Sequence, residues 1–197
     1  MGKHENGYAR IERDFYPTRA RWVIEALLAH LDLTGLSVWE PATGEGDIAE
    51  VLKASCARVH CTDITSYGYP LNALQDFTAI QPAPHFDAII TNPPQGPRNT
   101  TAEAFITAGL HCIRHGGLLA LLLAADFDSA ARRRGLFAGC EWFAAKIVLT
   151  RRIVWFERAD GIRAAPKENH AWYLWQRTPL RIRHAPQLLY APGKSAS

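Results

Sequence analysis

No stretch of this 197-residue chain is apolar for long enough to cross a bilayer. The longest such run, Leu118 to Ala125, is well short of the roughly twenty residues a spanning helix needs. The opening Met1 to Arg10 is polar and has no apolar signal core, so the expectation is a soluble, cytoplasmic protein with no membrane partner. Cysteine is scarce. Cys56, Cys61, Cys112 and Cys140 include no Cys-x-x-Cys pair, which argues against a zinc cage and a disulfide framework and leaves reduced thiols and no metal as the reading. Internal repeats and low-complexity segments are also missing.

What is present suits one sizeable core. The chain is 48% hydrophobic and 21% charged, enough for a single domain over residues 1–178 and too little for a second. After Thr178 come Pro179, Pro186 and Pro192 without periodicity, so 179–197 is expected to be a loosely ordered tail. The formal charge of +3 hides an asymmetry. Residues 1–130 carry nine Lys/Arg against fifteen Asp/Glu, whereas 131–197 carry thirteen against four. Arg132, Arg133, Arg134, Arg151, Arg152, Arg163 and Lys167 lie in the basic part, with Trp155, Trp172 and Trp175 among them. Basic residues interleaved with aromatics suit a phosphate backbone with exposed bases, although a solvated face over core tryptophans has the same composition.

The pattern alternates strand with helix, as in a parallel sheet covered on both sides. Trp22, Ile24, Ala26, Leu27, Leu28 and Leu31 predict a first helix ending near Gly35. Leu36 to Glu40 is a short strand running into Pro41-Ala42-Thr43-Gly44-Glu45-Gly46, after which Asp47 is placed to cap a helix through Ile48, Val51 and Leu52. The two glycines let backbone approach a ligand, and the helix start behind them offers unpaired N–H groups. A second strand, Arg58 to Thr62, ends at Asp63, where an acid can accept hydrogen bonds from ribose hydroxyls. Asp76-Phe77 follows a Tyr/Gly/Pro loop and could bind and cover an adenine, or be a loop acid beside a core ring. Phe86 to Thr91 reads as a buried strand stopped by Asn92-Pro93-Pro94-Gln95, which leaves an amide at the carboxyl edge where open α/β sheets bind ligands.

Beyond it come a helix from about Thr101 to Arg114, a Gly116-Gly117 stop and the strand Leu118 to Leu123. Phe127 to Phe137 reads as a helix with an Arg-rich face, and Trp142 to Ile153 and Ala171 to Gln176 as two more strands joined by a long loop. Trp39 reads as core, and Asp126 and Asp128 as caps of the following helix. His111 and His115, four apart at a helix end, lack a third ligand at fitting spacing.

Glu40-Pro41-Ala42-x-Gly44-x-Gly46 followed by Asp63, Asp76-Phe77 and Asn92-Pro93-Pro94 resembles the class I S-adenosylmethionine-dependent methyltransferases of the DNA N6-adenine type. Phe15-Tyr16-Pro17-Thr18 resembles that group's leading cofactor motif, and the order over residues 13–176 is similar to its small phage and prophage members. The resemblance implies a Rossmann-like α/β fold with a mostly parallel seven-stranded sheet, helices on both faces and an antiparallel last strand. It implies S-adenosyl-L-methionine as cofactor, with Glu40, Pro41, Ala42, Gly44 and Gly46 shaping the methionine pocket and Tyr16 and Thr18 at its amino-acid end. It further implies Asp63 and Ile64 at the ribose, Asp76 and Phe77 at the adenine, and Asn92, also beside the cofactor, with Pro93, Pro94 and Gln95 as the catalytic edge. DNA is the implied partner, with RNA as an alternative; oligomeric state stays open, a dimer included.

Two positions depart from that pattern. Gln95 stands where the group usually has an aromatic that stacks on the extruded base, and Trp155 or Phe127 could replace it; Arg19 stands where a proline usually follows the threonine. Three other readings share these residues. Gly44-x-Gly46-x-x-Ala49 with Asp63 also fits a dinucleotide-binding oxidoreductase, protein glutamine methyltransferases share the Asn-Pro-Pro edge, and Gln95 fits an inactive nucleic-acid-binding subunit.

Overall fold

The computed structural model describes residues 17–79, 86–155, 168–177 and 186–192. Eight strands form one sheet in the order β3-β2-β1-β4-β5-β7-β6-β8. They are β1 (Ser37–Glu40), β2 (Arg58–Asp63), β3 (Ala73–Leu74), β4 (Phe86–Thr91), β5 (Ile113–Ala124), β6 (Phe143–Val148), β7 (His170–Gln176) and β8 (Gln187–Tyr190). Only β7 runs against its neighbours, pairing antiparallel with both β5 and β6. The Rossmann-like methyltransferase architecture is therefore as expected, with eight strands rather than seven. The extra strand comes from the tail: Gln187–Tyr190 pairs parallel with β6, and the Tyr190 carbonyl meets His30 Nε2 at 2.9 Å. Four residues sufficed for a strand because β6 offered an unpaired edge.

Helices α1 (Arg21–Leu28), α2 (Asp47–Lys53) and α3 (Thr100–Cys112) divide between the two faces. Val23, Ile24 and Leu27 of α1 and Ile48, Val51 and Leu52 of α2 pack with Val38, Ala88, Ile90, Leu122 and Trp172. On the other face Ala102, Phe105 and Ile106 of α3 pack with Trp39, Ile89, Leu121, Tyr173 and Trp175. Neighbours in one strand, such as Val38 and Trp39 or Ile89 and Ile90, thus enter opposite cores, as the two-residue period of a strand requires. Trp39 is core, and its indole N–H donates to Thr62 Oγ1.

Several elements differ from their sequence expectation for local reasons. Helix α1 stops at Leu28 rather than near Gly35, because the Asp32 carboxylate accepts from the Thr34 amide and offers the chain a turn instead. Residues 127–137 form two 3₁₀ stretches, Phe127–Ser129 and Ala131–Leu136, not one helix. Asp126 makes no side-chain cap, while Asp128 accepts from Lys146 Nζ and Tyr173 Oη. Strand β5 begins at Ile113 and absorbs Gly116-Gly117 through an irregularity between the Phe86–Ile113 and Ala88–Leu118 pairs, where a stop was expected. Among the described residues no helix is long and apolar enough to span a membrane, and no three His, Cys, Asp or Glu side chains cluster as metal ligands.

Candidate active site

Strands β2, β1 and β4 are neighbours and parallel, so their carboxyl ends share one edge of the sheet. Asp63 closes β2, Glu40 closes β1, and Asn92 follows β4. At the ~4.8 Å spacing of adjacent strands, the first and last of these ends stand about 10 Å apart.

Gly44 and Gly46 both hold left-handed backbone, with φ of 57° and 87°. The glycine-rich turn between β1 and α2 is pinned to β2 by Thr43 and Asp63. The Thr43 amide donates to the Thr62 carbonyl at 3.2 Å, and its hydroxyl lies 2.8 Å from the Glu40 carbonyl and 3.0 Å from that of Thr62. Asp63 Oδ2 accepts from the Gly44 amide at 2.9 Å and Oδ1 from the Thr65 amide at 3.1 Å. Asp63 therefore shapes the turn, and two carboxylate oxygens with about four lone-pair sites leave capacity for the ribose contact expected from the sequence. Thr43 and Tyr69 are the structural residues the motif reading passed over. A buried hydroxyl between two backbone carbonyls leaves no sequence signal beyond a threonine at a strand end.

Gly46, not Asp47, occupies the cap position of α2, and Asp47 lies in the first turn. A Cβ at Gly46 would lie 2.2 Å from Tyr69 ring carbons, and that ring is held by its hydroxyl's 2.5 Å bond to Glu50 Oε1. Gly46→Ala is accordingly expected to lose about 1–3 kcal/mol of stability from the left-handed backbone alone, with the Tyr69 clash added. Chemical denaturation measures it, and an unchanged midpoint would mean that the turn does not need left-handed backbone at Gly46.

Glu40 is 1% exposed. Burial pushes its carboxyl well above the ordinary range, and the charges of Asp47 and Asp63 push it further. One oxygen, Oε2, has no hydrogen-bond partner. Asp47 is likewise raised, first by partial burial and then by Glu45, with Arg19 opposing. The turn is thus an acidic neighbourhood holding an unsatisfied acceptor.

On the other side, Asn92 Nδ2 donates to Thr18 Oγ1 at 3.2 Å, which turns the amide oxygen the opposite way. Pro93 is buried and Gln95 half-buried. The chain then passes through Gly96, Arg98 and Asn99, all with positive φ, before α3. Arg19, next to Thr18, reaches Glu45 of the glycine turn at 3.0 Å. The segment before α1 therefore touches both β4's exit and β1's, and Arg19 has a structural use where the motif that Phe15-Tyr16-Pro17-Thr18 resembles usually continues with proline.

Other expected site residues fall differently. Ile64 is 60% exposed beside Asp63, open to a ligand's flat face, while Pro41 is buried and Ala42 packs on the second core. Asp76 is exposed and accepts from the Thr78 amide and hydroxyl at 2.9 and 2.7 Å. Phe77 is core: it meets Trp39 edge-on and Phe105, each at 5.0 Å between ring centres, so it supports Asp76 from beneath instead of covering a ring. Tyr16, Arg163 and Lys167 lie outside the described residues.

The Arg-rich stretch is corrected most. Arg133 is 6% exposed, its guanidinium 3.8 Å from the Phe127 ring centre and bonded to Glu103 and the Phe127 carbonyl. Arg132 shares Glu103 and donates to the Arg98 carbonyl. Arg132 thus holds the loop after Gln95 and Arg133 the turn at Phe127, and Arg134 carries none of these bonds. Phe127, buried under Arg133, has no open face for a base.

The fold is that of the class I S-adenosylmethionine-dependent methyltransferases. No family model and no curated protein matches the sequence. Among solved structures, the chain is similar to a Listeria monocytogenes protein assigned to that class, with 13% identity and a TM-score of 0.65 over 94% of this chain and 67% of the other. It is also similar to a Pyrococcus horikoshii protein assigned as an RNA methyltransferase, with 13% identity and a TM-score of 0.62 over 87% and 92%. A third is a Vibrio vulnificus modification subunit of a type I restriction enzyme, with 17% identity and a TM-score of 0.55 over 92% of this chain but 48% of that one.

Proposed function

We propose that the chain is an S-adenosylmethionine-dependent methyltransferase that modifies the exocyclic N6 amine of adenine in DNA. The observation that carries this reading is the Asn92 amide at the exit of β4, oriented by Thr18 and followed by Pro93-Pro94. The cofactor fits the opposite side of the edge by its charge. It carries an ammonium and a sulfonium, and the buried Glu40 oxygen without a partner, with Asp47 and Asp63 beside it, is a seat for cationic groups. When bound, it supplies an electrophilic methyl group on sulfur.

The residues of the chain then position the amine. An aryl amine's lone pair is delocalised into the ring and is a poor nucleophile. Asn92 Oδ1 and the Pro93 carbonyl accept its two N–H bonds, which favours a pyramidal nitrogen whose lone pair points at the methyl carbon. With the cofactor bound, the amine would gain the N–C bond as the C–S bond broke, and it would then release one proton to solvent. Orientation and fixed dipoles provide the acceleration. In a duplex the base must leave the stack first. The restriction-modification subunit among the similar structures favours a nucleic acid, and the RNA methyltransferase keeps RNA as the second reading.

Incubating the protein with labelled S-adenosylmethionine and mixed DNA or RNA, then resolving the nucleosides, tests the reading. N6-methyladenine in DNA is the expected product. Cofactor binding without any methylated adenine overturns the assignment.

A further inference from the structure

Among the described residues of the basic half, Arg151 is an exposed cation just past the exit of β6. Strand β6 runs parallel to β4 and β5, since both β5 and β6 oppose β7, so its exit lies on the edge that carries Asn92. There the Arg151 guanidinium lies 4.2 Å from the ring centre of Trp22 on α1. Helix α1 is itself fixed to the sheet by the Trp172 indole N–H donating to the Val23 carbonyl at 2.8 Å. Thr18, which orients Asn92, is four residues before Trp22, a span of at most about 14 Å.

A guanidinium stacked on a ring uses its face and leaves its N–H donors in the plane around it, the fork that suits phosphate oxygens. Charge partners separate Arg151 from Arg19, Arg21, Arg132 and Arg133, and the stacked ring separates it from Arg98 and Arg134, which are exposed without an ion pair to a described residue. Arg19 is paired with Glu45 and Arg21 with Glu25, while Arg132 and Arg133 share Glu103. Arg151 makes no ion pair with any described residue, and it is exposed. Arg152 follows it and bonds Asn169 at 3.0 Å, placing a second positive charge at the same exit.

We propose that Arg151, stacked on Trp22, binds the phosphodiester backbone of a single nucleic-acid strand beside Asn92. The strand's use as a methyl acceptor rests on the function proposed above; its binding does not. The surface replaces the Arg132–Arg134 stretch as the place where the strand is held.

The test is fluorescence anisotropy with single-stranded DNA and RNA of one sequence, over a series of salt concentrations, for the parent, Arg151→Ala, Arg151→Lys and Arg58→Ala. Arg58 begins β2 at the opposite edge and serves as the comparison. Losing one phosphate contact is expected to make the dependence of log affinity on log salt shallower by about 0.7 for Arg151→Ala. Arg151→Lys restores the slope but not the full affinity, and Arg58→Ala matches the parent. Loss with DNA alone or RNA alone supports the surface and identifies the strand it takes. A parent that binds neither strand, an unchanged slope in Arg151→Ala, or an equal loss in Arg58→Ala overturns it. Calorimetry with S-adenosylhomocysteine on the same proteins separates the two readings. A shallower slope without cofactor binding leaves the surface and removes the methyltransferase, and the reverse result does the opposite.

Discussion

Asn92→Ala is expected to slow methyl transfer about 10²–10³-fold, the loss that follows removal of one oriented hydrogen-bonding group from a reacting centre. The change acts on the rate because the amide oxygen is of use only when the amine rehybridises. A ground-state contact would raise KM and leave kcat alone, whereas the proposed Asn92 contact would belong to the transition state. Cofactor affinity should change far less, since the acidic seat is on β1 and β2. Thr18→Val removes the acceptor that fixes the Asn92 amide and should give a smaller loss, again in kcat. Single-turnover rates with saturating cofactor measure both, and an Asn92→Ala protein as fast as its parent removes Asn92 from the chemistry.

Glu40→Gln is expected to move stability and binding in opposite directions. A carboxyl whose folded pKa lies above its unfolded one holds its proton more tightly in the folded chain. The stability it contributes is therefore intact below about pH 4, the ordinary glutamate range, and drains away as pH rises through the raised folded value. Between the ordinary glutamate range and the raised folded value the ligand-free parent must take up a proton to fold, and above that value it carries a buried charge with one unsatisfied oxygen, so Glu40→Gln should melt higher at alkaline pH and with a flatter pH dependence. Cofactor affinity should fall roughly 10- to 150-fold, the worth of about 1.5–3 kcal/mol for a hydrogen bond to a charged group. Thermal melts across pH and calorimetry read the two effects separately. A variant that melts lower at pH 8 and binds as well as the parent would show that Glu40 is not a seat for a cation.

The strand ends were legible because their signals are local. Glu40, Asp63 and Asn92 each close a short apolar run, and a run followed by glycine, acid or proline marks where a parallel strand stops. The partners that decide what a charge does were not legible. Arg133 looks like Arg134 in the sequence, and only the fold brings Glu103 to it from thirty residues away. Phe77 beside Asp76 was ambiguous for the same reason, since its packing on Trp39 and Phe105 depends on two distant segments. The tail strand escaped because Gln187–Tyr190 is too short to show a period. The Arg19–Glu45 pair arises where the resembled motif usually has proline, so the sequence marked the position only as a departure.

The Thr18–Asn92 bond separates two properties usually lost together. Replacing Thr18 and Arg19 together by Val and Ala would leave every described helix and strand in place, yet it would remove the hydroxyl that aims the amide and the guanidinium that reaches the glycine turn. Such a protein should denature as cooperatively as the intact one while its chemistry idles. The few atoms that ready it for turnover would then stand apart from those that make it durable.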